Sequence, residues 1–425
     1  MYHIKRTLFL LSICLVSSPL FAQDYLLLSG TVIDAKTKDP LPYATVGVAN
    51  KHIGTITNLS GAFALYLPDS LKTDTILVSF LGYESNSLPV AKFRAKGNKI
   101  KLKPILTEIG EVIVKPFTPL EVIERVIENY DSNYAQTPFI AKGFYLQEII
   151  ENDKFIDFIE AFVDIYTPPF HDTNDCQARL IQGRTRDDLG EIQFMKRFAE
   201  EKLEKKIRKA ERKGDTIDST ANAGIQVMFG GPQRIISDDM IRQINNIYDK
   251  KTLRKFNFTF ESNTFFAGRE LYVIRCITKR PYNHMNIDAR LYIDKESFAL
   301  AKIKADMTVD IPAVAKPFLR LYRIKINDIK LNSDNEYRYL AGKWYPSKTI
   351  MTGYFDLHKK YKGKYIEHSI VEVQNAFVTT DIQEENVVPF KEDELLTDDP
   401  LSEQLGTYNP EFWKNRNRIE YKVKN

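Results

Sequence analysis

The sequence predicts a mainly β protein: a small N-terminal β-sandwich followed by a larger antiparallel, curved-sheet α+β domain that is half-barrel-like. Three patterns predict this fold class. Residues 26–103 consist of short β-rich runs separated by turn residues. From Phe256 onward, apolar and polar residues alternate with period two, which is typical of antiparallel strands with one wet side. An amphipathic helix with a clear N-cap begins at Pro119.

These patterns divide the 425 residues into segments. The segments are an export signal at 1–22, the sandwich at 26–104, a connector strand at 105–118, an antiparallel β domain with helices at 119–385 (with a charged insertion at about 196–225), and a C-terminal tail at 386–425. With 43% hydrophobic residues, a chain of this length can form two cores.

The N-terminus predicts export. Lys5 and Arg6 precede an apolar run at residues 7–16, which has the length of a signal-peptide core and is too short to span a membrane. Cleavage is expected near Ala22, which places the mature protein in the periplasm or at the periphery of the outer membrane of a Gram-negative cell. The alternatives are lipidation at Cys14, disfavoured by the bulky residue before it, and a cytosolic protein with an apolar N-terminus.

Charge excludes one class of partner. The formal net charge is +4, and loss of Lys5 and Arg6 leaves +2, so nucleic acid is not expected as a partner. Residues 196–213 differ from the rest, with nine basic and four acidic side chains. We predict an exposed helix or insertion there, and peripheral contact with anionic lipid is the alternative.

The sandwich is predicted strand by strand. The expected strands cover residues 28–33, 43–48, 54–57, 62–67, 75–80 and 98–102. Turn residues separate them, and the alternation of Phe63 with Leu65 and of Val78 with Phe80 predicts the core face. Gly54, Gly61 and Gly82 are expected at positive φ.

The same residues resemble the carboxypeptidase regulatory-like domain. The resemblance is carried by Gly30, Asp34, Pro40, Gly54, Gly61, Phe63, Gly82 and Tyr83, among others. It implies a transthyretin-like sandwich without zinc or catalytic groups, so these residues are expected to build the fold. Asn58 stands where an Asp is usual, and we expect its side chain to keep the turn by bonding to local backbone.

The connector and the following helix come next. Residues 108–115 resemble the short strand that follows this domain in TonB-dependent receptors, but too little sequence remains for a 22-stranded barrel. Thr118 is the predicted N-cap, with Pro119 at the first helical position and Glu121 completing a capping box. Residues 120–166 resemble a group of uncharacterised envelope proteins.

The larger domain is predicted from its alternating strands. These include residues 256–260, 301–309, 319–326 with a bulge at 322–323, and 370–377, and Asp294–Ser297 is expected to form a hairpin turn. The unit at 291–303 is similar to the strand–turn–strand of lipoprotein-carrier half-barrels. The aromatic run 408–413 is expected to pack back on the domain, with a partner-binding segment as the alternative.

No catalytic motif is present. None of the six His has a Glu three residues on, and the sequence lacks a nucleophile elbow, a P-loop and a dinucleotide fingerprint. His358 and His368 could share a sheet, but alone they make a poor metal site. No metal or cofactor is therefore expected. Cys176 and Cys276 could form a disulfide or stay buried and free.

Three hypotheses of function follow. The leading one is an exported, non-catalytic scaffold that docks or binds an envelope protein or lipid. The second is a periplasmic carrier of a lipid or another hydrophobic ligand in a half-barrel, which requires an apolar cavity. The third is a hydrolase whose catalytic groups converge from distant strands.

Overall fold

The computed structural model describes residues 25–105, 116–170, 176–190, 231–237, 239–242, 250–361, 366–397 and 399–419. The expected signal at 1–22, most of the connector and the charged insertion at 196–225 lie outside these residues. Within the described part of the chain, no helix is both long enough and apolar enough to cross a membrane.

The N-terminal module is a two-sheet sandwich. Its strands are β1 (Tyr25–Asp34), β2 (Thr45–Val48), β3 (Gly54–Ile56), β4 (Ala62–Pro68), β5 (Thr75–Ser79), β6 (Asn86–Pro89) and β7 (Asn98–Leu102). One sheet has the order β4-β1-β7 and the other β3-β2-β5-β6. Phe63 lies in the core between them, and Pro40 forms a β-bridge with Ile33. The predicted sandwich is confirmed, with β6 as an additional strand.

The motif residues of the sandwich hold strands and turns in place. Gly30 lies where β1 and β7 come close, since a Cβ there would fall 2.2 Å from the Asn98 carbonyl oxygen. Asp34 ends β1, and its Oδ1 accepts hydrogen bonds from the two backbone N–H groups of residues 36 and 37. The Tyr83 hydroxyl donates to the other carboxylate oxygen at 2.7 Å. Asp34 and Tyr83 therefore join two turns of the module.

Two of the three predicted glycine turns are confirmed. Gly61 and Gly82 have φ of +71° and +82°, where other residues are strained. The prediction is wrong for Gly54, which lies inside β3 rather than at a positive-φ turn. Its Cβ would meet the Val46 carbonyl oxygen at 3.1 Å and Arg338 Nη1 at 3.4 Å. Glycine is used there for close packing.

Asn58 keeps the turn before Gly61, as predicted. Its Oδ1 accepts hydrogen bonds from the Ser60 N–H at 3.0 Å, the Ser60 hydroxyl at 2.8 Å and the Ala62 N–H at 3.0 Å. An amide oxygen thus serves the three donors that an aspartate oxygen would serve.

The larger domain is built on one eleven-stranded antiparallel sheet. Its strands are β8 (Phe139–Glu151), β9 (Lys154–Thr167), β10 (Gln177–Thr185), β11 (Phe256–Phe260), β12 (Thr264–Phe266), β13 (Arg269–Thr278), β14 (Met285–Asp294), β15 (Leu300–Val309), β16 (Ile324–Leu340), β17 (Lys343–Lys360) and β18 (Ile366–Gln383). The order is β10-β9-β8-β18-β17-β16-β15-β14-β13-β11, and β12 pairs beside β11 on β13. The mainly β fold with a large curved sheet is confirmed.

Short helices cover one side of this sheet, which we call the helix face. They are α1 (Pro119–Glu128), α2 (Tyr130–Asn133), α3 (Pro232–Ser237) and α4 (Lys250–Leu253). A further helix, α5 (Lys316–Leu321), has no buried residue and lies just before β16. The predicted capping box of α1 is present, with Thr118 and Glu121 bonding reciprocally. Val122, Ile123 and Val126 then enter the largest apolar cluster, which joins α1 to α4 with β8–β10 and β13–β18.

The opposite side of the sheet carries the sandwich and the end of the tail, and we call it the sandwich face. The start of the tail, with Leu401 and Leu405, packs into the apolar cluster of the helix face. Sheet residues of even number, such as Phe144 and Val378, contact Ile56 of the sandwich and Trp413 of the tail in one cluster. The predicted packing of the aromatic tail is confirmed, since Trp413 is 3% exposed and its ring lies 5.3 Å from that of Phe162.

One detail of the larger domain differs from expectation and another agrees with it. The hairpin at Asp294 is confirmed, because β14 ends and β15 begins around it. The strand expected at 319–326 is wrong in its first half. Residues up to Leu321 form α5, Arg323 has φ of +54°, and β16 starts at Ile324. Two alternating leucines are too short a pattern to separate strand from helix.

The disulfide between Cys176 and Cys276 is not formed. Both residues are buried, and neither sulfur is bonded to another cysteine among the described residues. In the sheet order, seven strands separate β10, which follows Cys176, from β13, which contains Cys276. Burial, with a smaller contribution from Asp288, raises the pKa of the Cys276 thiol to about 12, so it behaves as an unreactive apolar group.

Candidate binding cleft

One row of cross-strand neighbours organises the sandwich face, and we call it the docking row. The row consists of Lys302, Glu336, Lys348, Val378, Phe144 and Phe162, on β15, β16, β17, β18, β8 and β9. Each member lies opposite the next in the strand register. The row changes from charged to aromatic along its length, and both halves are covered by other parts of the chain.

The charged half of the row is buried under the sandwich. Lys302 Nζ lies 2.7 Å and Lys348 Nζ 3.1 Å from Glu336 Oε2. The Thr45 hydroxyl donates to the other carboxylate oxygen at 2.9 Å, and Lys348 also donates to the Tyr43 carbonyl oxygen at 3.1 Å. Burial opposes ionisation of Glu336, but the two lysines outweigh it and hold its pKa well below the usual range. The sandwich thus completes a buried ion network.

The aromatic half of the row is covered by the tail. Phe162 packs against Phe412 and Trp413, and the Arg184 guanidinium lies 4.3 Å from the Trp413 ring centre. The Asn417 side chain forms two hydrogen bonds with the backbone of Tyr66, accepting from its N–H at 2.6 Å and donating to its carbonyl at 3.1 Å. The tail therefore bridges the sheet and the sandwich.

The tail also follows the edge strand β10. The Leu396 N–H donates to the Ala178 carbonyl oxygen at 2.9 Å, and the Gln182 side chain donates to the Thr407 carbonyl oxygen at 2.9 Å. Leu405 packs on Gly183, where a Cβ would approach it to 2.4 Å. The second half of β10 thus borders the space between tail and sandwich.

That space is an open cleft of about 900 Å³. Its lining comes from the sandwich turn (Asn58, Ala62), β9 (Phe158, Glu160), β10 and the residues after it (Gly183, Arg184, Thr185, Arg186, Asp187) and the tail (Ser402, Leu405, Gly406, Tyr408, Arg418, Ile419). Three arginines, two acidic residues and several apolar side chains share the lining. Tyr408 is half-exposed at its rim.

Ion pairs preorganise the arginines of the cleft. Arg184 Nε donates to Glu160 Oε2 at 2.5 Å. Arg186 forms a two-point contact with Asp188, both distances being 2.7 Å, and its guanidinium stacks 4.5 Å from the Phe155 ring. Guanidinium groups held on aromatic rings present a fixed set of donors to carboxylates, phosphates or backbone carbonyls.

A carboxyl group that titrates near neutrality lies next to the cleft. Glu148 on β8 is directly opposite Phe158 and is 9% exposed. Burial, with a smaller contribution from Glu160 and a partial offset by Arg186, raises the pKa of Glu148 to about 7. The charge beside the cleft therefore changes within the physiological pH range.

A mixed lining of this kind suits an extended, polar ligand. Arginines and backbone edges bind carbonyl and carboxylate oxygens, whereas Phe158, Leu405 and Ile419 offer apolar surface. Edge strands such as β10 can accept a further strand. Charged side chains of Glu160, Arg186 and Arg418 lie among the apolar side chains of the lining.

The eight motif residues predicted from the sequence do not line the cleft. The eight motif residues of the sandwich serve its fold, and the cleft uses the neighbouring Asn58 and Ala62 instead. His358 and His368 do share a sheet: they lie directly opposite on β17 and β18, with ring centres 4.2 Å apart. Asp356 joins them, which sequence reasoning missed.

Comparison with known families identifies the N-terminal module. Residues 28–114 match the CarboxypepD_reg-like domain. This match confirms the resemblance drawn from the sequence and agrees with the observed sandwich. A comparison with curated proteins gives no significant match.

Distant similarity to solved structures is also found. A domain from Vibrio parahaemolyticus, provisionally described as an outer membrane lipoprotein-sorting protein domain, shares 10% identity at a TM-score of 0.24, covering 65% of this chain and 96% of that one. A DUF1329 family protein from Desulfovibrio piger shares 8% at 0.25, covering 66% and 100%. A membrane-associated protein of unknown function from Bacteroides fragilis shares 11% at 0.14, covering 84% and 98%. TM-scores this low do not establish a common fold.

Proposed function

We propose that this protein is an exported, non-catalytic binding scaffold of the bacterial envelope, and that its cleft binds an extended segment of another envelope protein. The observation that carries the proposal is the cleft of about 900 Å³, which is assembled from the sandwich, the sheet edge and the tail together. Export rests on the signal-like sequence of residues 1–22.

The chemistry of the cleft supports a peptide ligand. Arg186 and Arg418 offer donors to peptide carbonyls and acidic side chains, and Gly183 to Thr185 belong to an edge strand. Burial of an ordinary protein interface needs about 800 Å² per partner, so contact would extend from the cleft onto the surrounding sandwich and tail.

The proposal is tested by site-specific photocrosslinking in cells. A Tyr408→p-benzoylphenylalanine variant should give a discrete protein adduct, because this side chain lines the rim and is 50% exposed. The matched control is Phe318→p-benzoylphenylalanine on α5, which is 48% exposed and outside the cleft. The adduct should be lost when Arg186→Glu is added. Equal adducts at both positions, or none at position 408, would refute a binding cleft.

A carrier of a lipid or another hydrophobic ligand is the second hypothesis, and a separate measurement tests it. It requires an apolar cavity, whereas helices α1 to α4 fill the apolar cluster of the helix face among the described residues. Mass spectrometry of protein purified without detergent decides it: a stoichiometric lipid favours the carrier over the peptide scaffold. Absence of lipid together with the protein adduct favours the scaffold.

A further inference from the structure

Three side chains of types that can bind metal ions lie close together on β17 and β18, remote from the charged half of the docking row. Asp356 and His358 lie on β17, two residues apart and therefore on the same face. His368 lies directly opposite His358 on β18. One ligand atom from each of the three lies within 4.8 Å of the others. Cross-strand register, rather than sequence proximity, brings them together.

The contacts among them already resemble a ligand set. His368 Nε2 lies 2.9 Å and His358 Nε2 lies 3.5 Å from the same oxygen, Asp356 Oδ1. The Asn327 side chain donates to that oxygen at 3.1 Å, which holds the carboxylate in place. Hydrogen bonds to a ligating carboxylate are the usual outer support of a metal site.

We infer that Asp356, His358 and His368 form a binding site for a divalent first-row transition ion, with Zn²⁺ as the reference ion. Two imidazoles and one carboxylate are a common ligand set for zinc, with water in the fourth position. Ca²⁺ and Mg²⁺ prefer oxygen ligands only, so they should bind weakly here.

The ion requires a small rearrangement of the imidazoles. Their planes are 6° apart and stacked, so their nitrogen lone pairs run side by side and do not meet at a point. Each ring must tilt toward Asp356 to bring its Nε2 to about 2.0–2.1 Å from zinc. The side chains of His358 and His368 are 31% and 48% exposed, which leaves room for this rotation.

The surroundings contain charges of both signs. Lys325 on β16 is opposite His358, and Asp328 is opposite Asp356. Asp328 is paired with Lys330 at 2.7 Å. The bound ion would tie β17 to β18 near the end of their ladder and keep one coordination position open to solvent.

The test is titration of the intact protein, freed of metal by a chelator, with ZnCl₂ in a calorimeter. One equivalent should bind, and Co²⁺ should give the visible absorption of a four-coordinate ion. His368→Ala and His358→Ala should each weaken binding by at least about 100-fold, the upper end of the loss caused by removing an outer-shell partner.

The control is His284→Ala, an exposed histidine in the turn before β14, which should bind as the wild type does. Circular dichroism of each variant verifies the fold, and Asp356→Asn offers a near-isosteric change if an alanine variant unfolds. The inference is overturned if Zn²⁺ and Co²⁺ do not bind the folded wild type. It is equally overturned if binding persists unchanged in folded His358→Ala/His368→Ala protein.

Discussion

The two faces of the eleven-stranded sheet are buried in different ways. The helix face is closed by apolar side chains of α1 to α4. Its row of cross-strand neighbours contains no charged residue and runs through Ile303, Asn335, Thr349, Phe377 and Tyr145. On the sandwich face, the docking row starts with the buried network of Lys302, Glu336 and Lys348. The sandwich, which has its own apolar core, covers this part of the row. The helix face thus stabilises the domain by apolar packing, whereas the sandwich face fixes the position of the sandwich and borders the cleft.

This difference explains why binding is expected on one face. Apolar packing is tolerant of register, whereas buried charges are costly unless each meets its partner. The charged half of the docking row therefore favours one position of the sandwich on the sheet over shifted positions. The position of the sandwich in turn fixes the cleft, because Asn58 and Ala62 form one of its walls.

The largest effect is expected at the centre of the charged row. Glu336→Ala removes the shared carboxylate and leaves the buried Lys302 with Asp334, at 2.7 Å, as its remaining acidic partner. This should lower the free energy of unfolding by about 3–5 kcal/mol, mainly through the buried charge of Lys348. Urea denaturation measures it. The control Asp328→Ala breaks an exposed pair and should cost under about 1 kcal/mol. Equal losses in both variants would contradict a special role for the buried network.

A loss of unfolding free energy in the lower part of the same range is expected from a substitution on the helix face. Phe139 is 1% exposed and stacks near Phe170, so Phe139→Ala should cost about 3–4 kcal/mol through lost burial and a cavity. Unlike Glu336→Ala, the Phe139→Ala substitution should leave the position of the sandwich on the sheet unchanged. Limited proteolysis between the sandwich and the sheet distinguishes the two variants. Release of the sandwich by both would remove the distinction between the faces.

A pH effect is expected beside the cleft. The pKa of Glu148 rises from 4.5 to about 7 on folding, so the native state binds more protons than the unfolded state between these values. Its contribution to stability is therefore lost as pH rises through this window, by at most roughly 3 kcal/mol. Glu148→Gln should raise the melting temperature at pH 8 and flatten the pH dependence. The exposed Glu372→Gln is the control, and an identical pH profile in both variants would contradict the assignment.

The smallest effect is expected at the turn before Gly61, where Asn58 stands in place of the Asp that is usual in the regulatory-like domain. Asn58→Asp keeps the oxygen that accepts three hydrogen bonds, so the change in unfolding free energy should stay within about 0.5 kcal/mol. Asn58→Ala removes the acceptor and should cost about 1–3 kcal/mol. Thermal unfolding of both variants checks this. A large loss in Asn58→Asp would show that the side-chain amide has a further role.

The sequence predicted the sandwich and α1 because their signals are local. Turn glycines, alternation and the capping box of Thr118 and Glu121 each lie within a few residues. Strand β6 was missed because Asn86–Pro89 is short and mostly polar. Gly54 was misread because its small size is required by the close approach of β2 and of Arg338, which is distant in the chain.

The candidate sites depend on register, which local patterns do not define. Lys302, Glu336 and Lys348 meet only because three strands pair in one alignment. His358 and His368 are ten residues apart, and their contact follows from the exact pairing of β17 with β18. The cleft combines residues from 58 to 419, so no segment of the sequence contains its signature.

The hydrogen bonds between Asn417 and Tyr66 have a consequence for how the molecule is made. They join residues 351 positions apart, so this contact cannot form until nearly the whole polypeptide has emerged. Contacts of such sequence separation slow folding, because a long loop must close first. The strands of the sandwich and of the sheet all precede Asn417 in the chain, so their residues are made before this contact can form.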